Sequence, residues 1–244
     1  MANVVLLGYG RMGKMIESVA LARDHVVVAR YGAGDAGRVL PKGAQVAIDF
    51  SLPEVAEANC RKALAQGIPV VSGTTGWEVS ALRDELADGD GPAFLHATNM
   101  SVGVNVTFAV NRLLATALAG RGYTAAIAET HHVHKLDAPS GTAITLAEGS
   151  VAGLPNYGGW ELRDGDDEAP ADRLPVTSVR EGEVIGVHEV TYASAADAIT
   201  LRHEAYDRTG FALGAVLAAE YLIGKRGVHT MADVLGLGHL ASLA

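Results

Sequence analysis

Residues 4–13 read Val-Val-Leu-Leu-Gly-Tyr-Gly-Arg-Met-Gly, an apolar run that passes straight into G-x-G-x-x-G. The apolar run reads as a short buried strand, residues 12–22 as a helix, and residues 25–29 as a second strand. In a strand–turn–helix setting such glycines form a dinucleotide fingerprint, because they let the backbone approach a pyrophosphate at the helix N-terminus. Gly8, Tyr9, Gly10, Arg11, Met12 and Gly13 are therefore candidate cofactor contacts. The alternative is a tight turn that binds nothing. The second strand ends in Arg30 and Tyr31, where an acid for the ribose 2′-hydroxyl is usual. The first acid beyond is Asp35, inside Gly-Ala-Gly-Asp-Ala-Gly. An Arg at this place suits a 2′-phosphate, so NADPH is favoured over NADH. Stacking on adenine, or pointing to solvent, is the alternative for Arg30.

The pattern continues downstream. Residues 45–51 (Gln-Val-Ala-Ile-Asp-Phe-Ser) read as a third strand, and Ser51-Leu52-Pro53-Glu54 has the form of a capping box. The helix it opens runs to about Gln66 and stops at Gly67. Residues 68–72 form a fourth strand that runs into Gly73-Thr74-Thr75-Gly76. A helix over 77–87 and a fifth strand over 93–97 follow, the latter ending in Thr98-Asn99-Met100-Ser101. Alternating strands and helices imply a parallel sheet with right-handed crossovers. Such sheets bind ligands at the carboxyl ends of their strands, which makes the Gly73–Gly76 and 97–100 stretches candidates. Read structurally, they are only turns. Residues 102–118 form a long helix closed by Gly120, taken as the hinge into a second domain.

Composition narrows the class. Of 244 residues 49% are apolar, and 19 basic against 28 acidic side chains give a net charge of −9. Such a chain folds fully and offers no general nucleic-acid surface. No apolar run reaches the length of a membrane span and no signal sequence is evident, so the cytoplasm is expected. Cys60 is the one cysteine and falls in a helical pattern, where a buried structural thiol is expected.

The chemistry concentrates at residues 129–142, Glu-Thr-His-His-Val-His-Lys-Leu-Asp-Ala-Pro-Ser-Gly-Thr. Residues 123–130 before it are strand-like, and Ser140 is a candidate N-cap for the helix after it. A helix start preceded by Ser-Gly-Thr suits a carboxylate. A Lys and imidazoles beside that seat point to proton transfer to a small anionic substrate. His131 and His134 could instead bind a metal. The loop-like spacing, the lack of His-Glu-x-x-His and the distance of any Cys argue for none.

Beyond the helix, residues 153–175 carry Pro155, Pro170 and Pro175, Gly158 and Gly159, and acids from Asp164 to Glu168, and read as solvated loop. Residues 176–180, 184–192 and 198–203 alternate like antiparallel strands. A helix over 211–222 and a segment over 230–237 follow, and by analogy with other two-domain dehydrogenases the tail is expected to return to the first domain. The expected architecture is α/β, a Rossmann-type parallel sheet domain plus a second α+β domain with an open mixed sheet. Residues 1–101, completed by 211–244, form the dinucleotide-binding domain; residues 102–210 form the substrate-binding and oligomerisation domain.

With these motifs placed, the chain resembles the 4-hydroxy-tetrahydrodipicolinate (dihydrodipicolinate) reductases over nearly its whole length. The most specific part is His-His-x-His-Lys-x-Asp-Ala-Pro-Ser-Gly-Thr, supported by Asn-Met-Ser-Val-Gly-Val-Asn at 99–105 and Gly-Phe-Ala-Leu-Gly-Ala-Val-Leu-Ala-Ala-Glu-Tyr at 210–221. The resemblance implies reduction of a cyclic imine dicarboxylate in lysine and diaminopimelate synthesis, with NADH or NADPH, by a homotetramer built through the second domain's sheet. It implies His131 as proton donor or acceptor, Lys135 as second donor, and His132 as a substrate contact. Gly141 and Thr142 would cradle a substrate carboxylate. Gly73, Thr74, Thr75, Ala97, Thr98, Asn99 and Met100 would surround the nicotinamide. This sequence departs from the family in a glycine turn one residue shorter than G-x-x-G-x-x-G, in the missing acid after strand two, and in Met100 where Phe is common. A related amino-acid dehydrogenase, a dinucleotide-sensing protein without turnover and a metal hydrolase are the alternatives.

Overall fold

The structure, a computed structural model, describes residues 1–32, 34–35, 38–163 and 170–243. The acidic run at 164–168, and Ala33, Ala36 and Gly37 of the Gly-Ala-Gly-Asp-Ala-Gly loop, lie outside them. Contacts divide the chain into two units, one of Met1–Val102 with Arg208–Gly236 and one of Gly103–Asp207 with the segment from Leu237 onward.

The first unit is built on β1 (Asn3–Leu7), α1 (Arg11–Ala22), β2 (Val26–Tyr31), β3 (Val46–Asp49), α2 (Pro53–Ala65), β4 (Val70–Ser72), α3 (Ser80–Glu85) and β5 (Phe94–His96). Its sheet also takes a short strand from the C-terminal region, described below as β11, in the order β11-β5-β4-β3-β1-β2. Every paired neighbour is parallel. Buried on both faces, β1, β3 and β4 are near-continuous apolar runs, as parallel strands covered by helices must be. One core packs α1 against the sheet through Ile16 and Ala20. The other packs α2 and α3 against the opposite face through Cys60, Ala63, Leu64 and Leu82. Cys60 is fully buried, and burial pushes its thiol well above the ordinary range, so it is inert packing.

The second unit contains the body of α4 (Val102–Leu118), then β6 (Thr124–His131), α5 (Gly141–Gly153), β7 (Gly159–Arg163), β8 (Arg173–Arg180), β9 (Gly186–Ala193) and β10 (Ala198–Ala205). Its sheet has the order β10-β9-β6-β8-β7 and is mixed: β7, β8 and β6 run parallel, β9 and β10 antiparallel. β6 and β9 alternate buried and less buried residues, so one face is covered and the other is not. The covered face packs Ile127, Val176, Val190 and Tyr192 against Ala143, Leu146 and Ala147 of α5 and Ala115 of α4. Inside that core Asn111 is completely buried, with both ends of its amide hydrogen-bonded. Its Nδ2 donates to Leu146 O at 2.9 Å, and its Oδ1 accepts from Tyr192 at 2.7 Å and Ser150 at 3.2 Å.

The chain then forms α6 (Thr209–Leu222), β11 (Val228–His229) and α7 (Met231–Val234), all in the first unit. α6 supplies Ala212, Ala215, Val216, Ala218, Ala219 and Leu222 to the core that holds α1. From Leu237 the chain forms a 3-10 helix.

Several local expectations are corrected. Ser51 does not cap α2; Leu52 stands at the N-cap, and the Ser51 hydroxyl donates to Asp49 at 2.7 Å. A capping box does form at α7, from Thr230 and Asp233. The helix expected over 77–87 shrinks to Ser80–Glu85, because Trp77 Nε1 is drawn to Thr74 O and Glu78 accepts from Ser80 N. Residues 159–163, read as loop, form β7, and β8 begins at Arg173, upstream of the expected 176. Pro175 is tolerated there because β8 pairs with β6 only from Val176 onward, so the missing N–H falls where β8 has a neighbour on one side alone. β8 is parallel to β6 rather than part of an antiparallel run, since β8 and β9 lie on either side of β6.

Candidate functional site

In the first unit, the carboxyl ends of β1, β4 and β5 lie on one edge of the sheet, and the strand order reverses beside β1. That edge holds the glycine turn. Gly8 has φ +96°, and a Cβ on it would lie 2.1 Å from Phe50 O. A Cβ on Gly13 would lie 2.3 Å from Gly8 O. The packing of turn, helix and neighbouring loop thus demands both of these glycines. Gly10 differs: a Cβ there would meet nothing within 4 Å. Gly10 is also the N-cap of α1 and offers no side-chain acceptor to its first turn. An open glycine at an uncapped helix start fits a pyrophosphate, which needs both room and free N–H groups.

The neighbouring strand ends are arranged by a buried carboxylate. Asp49 is fully buried, and its oxygens accept from Ser51 at 2.7 Å, Ser72 at 2.9 Å, Thr74 at 2.7 Å and Asn59 at 3.3 Å. Burial pushes its carboxyl above the usual range, and these hydrogen bonds counter only part of that. Thr74 is therefore turned inward. Its hydroxyl also accepts from Ser51 N, and its carbonyl accepts from Trp77 Nε1 and lies 2.9 Å from His96 Nε2. Thr75 and Thr98 are exposed. Met100 is 2% exposed and belongs to the core with α1 and α6, so its side chain does not stand open to a ligand. Asp35 is occupied locally by Gly32 N and Arg38.

The second unit carries the ionisable cluster. Glu129 and His131 occupy inward positions of β6, and His188 faces Glu129 in register from β9, as Ser178 does from β8. Glu129 is 1% exposed. One of its oxygens accepts from Ser140 N at 3.0 Å, Ser178 Oγ at 2.8 Å and Arg180 Nη2 at 3.3 Å. The other lies 3.4 Å from His131 Nδ1 and 3.6 Å from His188 Nε2. Burial alone would raise this carboxyl, but the neighbouring His188, Ser140 and Ser178 hold it well below the usual carboxylate range. His131 is pushed down to about 4 by burial, against the pull of Glu129, so its imidazole is neutral at pH 7.

Arg180 pins the loop that follows. Its guanidinium donates to Lys135 O at 3.3 Å and Asp137 O at 2.6 Å as well as to Glu129. Lys135 Nζ meets both oxygens of Asp137 at 2.7 Å, and that ion pair reaches the surface. Ser140 caps α5, its Oγ accepting from Ala143 N at 3.2 Å. Gly141 is exposed, with nothing within 4 Å of a Cβ. His132 is half-buried, its ring 6.0 Å from that of His134.

His131, Lys135, Gly141 and Thr142 thus share one strand–loop–helix segment. His131 and His134 do not form a metal pair: His134 turns to Glu183 at 3.1 Å on the surface, while His131 turns inward. Ligand atoms of Glu129, His131 and His188 lie within 4.8 Å of one another, and the guanidinium of Arg180 already supplies a cation to that carboxylate. Glu129, Ser178, Arg180 and His188 were not singled out as functional from the sequence. The available signal was polar side chains at the inward phase of alternating strands.

An α/β unit with an open glycine turn at a helix start, and a second unit with ionisable groups beside a capped helix start, are the architecture of a nicotinamide-dependent oxidoreductase. Residues 2–100 match the family model described as dihydrodipicolinate reductase, N-terminus, and residues 103–235 the one described as its C-terminus. The 4-hydroxy-tetrahydrodipicolinate reductase of Christiangramia forsetii is 46% identical over 96% of this chain and 97% of its own. That of Akkermansia muciniphila is 38% identical over 98% of this chain and 100% of its own. In fold, a dipicolinate-bound dihydrodipicolinate reductase from Paenisporosarcina sp. TG-14 superposes with a TM-score of 0.73 at 21% identity, over 96% of this chain and 99% of that one. The chain belongs to the dihydrodipicolinate reductase family.

Proposed function

We propose that the loop from Glu129 to Thr142 is where this chain holds its substrate and delivers protons. The chain is an NAD(P)H-dependent 4-hydroxy-tetrahydrodipicolinate reductase of lysine and diaminopimelate synthesis. A bound nicotinamide dinucleotide supplies the hydride; the chain's own residues orient the substrate and move the proton. Lys135 is the donor, a cation that also attracts the dicarboxylate, and it is held by Asp137 until a substrate carboxylate competes for it. His131, neutral at pH 7, accepts or relays a proton rather than supplying one outright. His132, Gly141 and Thr142 bind the substrate, with the start of α5 seating a carboxylate.

On the first unit, Gly8–Gly13 take the pyrophosphate, and Gly73–Thr75 with Ala97–Met100 frame the nicotinamide, Thr74 and Met100 through backbone only. Arg30 favours NADPH. The open face of the second sheet, with Thr124, Ala126 and Ala128 along its central strand, is where copies assemble into a homotetramer. The enzyme works in the cytoplasm; no helix among the described residues is long and apolar enough to cross a membrane.

The observation that carries the reading is the loop between β6 and α5, pinned by Arg180 on the Lys135 and Asp137 carbonyls with the Lys135 amine paired to Asp137. Lys135→Ala should lower turnover on the order of 10²-fold or more, while dinucleotide binding, followed by nicotinamide fluorescence, stays within about twofold. Turnover that survives within a few-fold refutes the role.

A further inference from the structure

The end of β2 carries no acid, but a carboxylate reaches Arg30 from α1. Arg30 Nε donates to Glu17 Oε1 at 2.8 Å, and its Nη2 contacts the same oxygen. The hydroxyl of Tyr9, the middle residue of the glycine turn, donates to the other Glu17 oxygen. The Arg30 guanidinium also lies over the Tyr9 ring, 5.9 Å from its centre. The Glu17 side chain is 12% exposed and that of Arg30 40%. The hydrogen bonds from Arg30 and then Tyr9 hold the Glu17 carboxyl below its ordinary range, so this is an ionised pair.

We propose that Glu17 sets the cofactor preference by holding Arg30, and is a specificity-determining residue that the strand-end rule does not locate. The inference rests on the reading that a dinucleotide occupies the glycine turn. In this fold the ribose 2′ position is read about 20 residues beyond the glycines, which is where Arg30 stands. A 2′-phosphate needs a guanidinium fork free to face it. Glu17 competes for that fork through Nε and Nη2 and places a like charge beside the phosphate. A 2′-hydroxyl meets no such conflict, because a carboxylate oxygen has a second lone pair to accept it. The three side chains therefore favour NADPH through Arg30 and limit that advantage through Glu17. Tyr9, on the turn itself, ties the device to the phosphate end of the cofactor.

The test is titration of the whole chain with NADPH and with NADH, without substrate, read by nicotinamide fluorescence. Glu17→Gln keeps the size and a hydrogen-bonding head but removes the charge. It should move the ratio of dissociation constants toward NADPH by roughly fivefold, the upper range for a partly exposed ion pair. Arg30→Gln should move the ratio toward NADH, and in the double variant the Glu17→Gln gain should vanish. A ratio unchanged in Glu17→Gln, or a gain that persists without Arg30, overturns the inference while the cofactor reading stands. A wild-type chain that binds neither dinucleotide overturns both.

Discussion

Among the described residues two carboxylates are fully buried, one in each unit, and their surroundings are opposite in kind. Asp49 is met only by hydroxyls and an amide, and burial raises its carboxyl. Glu129 is met by a guanidinium, two imidazoles, a hydroxyl and a backbone N–H, and its carboxyl is driven down. Neutral donors orient a charge without cancelling it, and their own geometry is fixed in return. At Glu129, His188, Ser140 and Ser178 hold the carboxyl down against burial, and Arg180 and the two imidazoles tie it to other ionisable groups. Asp49 therefore acts as a scaffold that draws together Ser51, Ser72 and Thr74. Glu129 acts as the anchor of a cluster of ionisable side chains.

The contrast can be broken most directly by truncation. Glu129→Ala leaves Arg180 without its buried partner and Ser140 N without an acceptor. It should cost about 3–5 kcal/mol, the range for breaking a buried pair, measured by denaturant unfolding. Asp49→Asn keeps one acceptor and lets the surrounding hydroxyls reorient, so about 1 kcal/mol is expected. Equal losses in the two variants would mean that the difference in partners has no energetic meaning.

A second test sharpens the comparison at the rim that Asp49 organises. Gly10→Ala adds a methyl where the fold has open space and at an ordinary φ of −84°. The melting temperature should stay close to wild type, while dinucleotide affinity should weaken roughly tenfold. Loss of stability without loss of affinity would show that Gly10 serves the fold alone.

The comparison also shows in the pH dependence of stability, whose sign differs between the two clusters. His131, depressed to about 4, binds its proton more weakly folded than unfolded. Stability should therefore fall as pH drops from about 6.5 toward 4. Glu129, also depressed, extends the loss below about 4.3, the unfolded glutamate range. Asp49 works the other way: its raised carboxyl favours the folded state at low pH, and that contribution is lost as pH rises through the folded value. His131→Gln should flatten the limb between about 6.5 and 4, as followed by urea unfolding at stepped pH. A limb unchanged in that variant would remove His131 as its source.

Much was legible in the amino-acid order. Strand–glycine–helix periodicity announced the parallel sheet, because apolar runs of four or five residues have few other stable placements. Residues 129–142 were legible as a strand, polar loop and capped helix, because Ser140 and the flanking periodicity are local signals. Other features depended on partners far along the chain. Ser51 looked like a helix cap because a capping box is a local pattern; a buried Asp49 outcompeted it. Residues 159–163 looked like loop because glycine and proline mark turns, yet pairing with β8 made them an edge strand. Arg30 looked free to read a phosphate until α1 brought Glu17 against it.

What the order of residues determined by itself was periodicity, turn chemistry and which ionisable groups stand close in sequence, all set within a few residues by backbone sterics and local hydrogen bonding. Only the tertiary structure decided which charge faces which. Arg180 and His188 reach Glu129 from strands 51 and 59 residues away, and Glu17 reaches Arg30 from a helix. Coulomb interaction and desolvation depend on distance in space and on burial, and neither is written in the spacing of a linear chain.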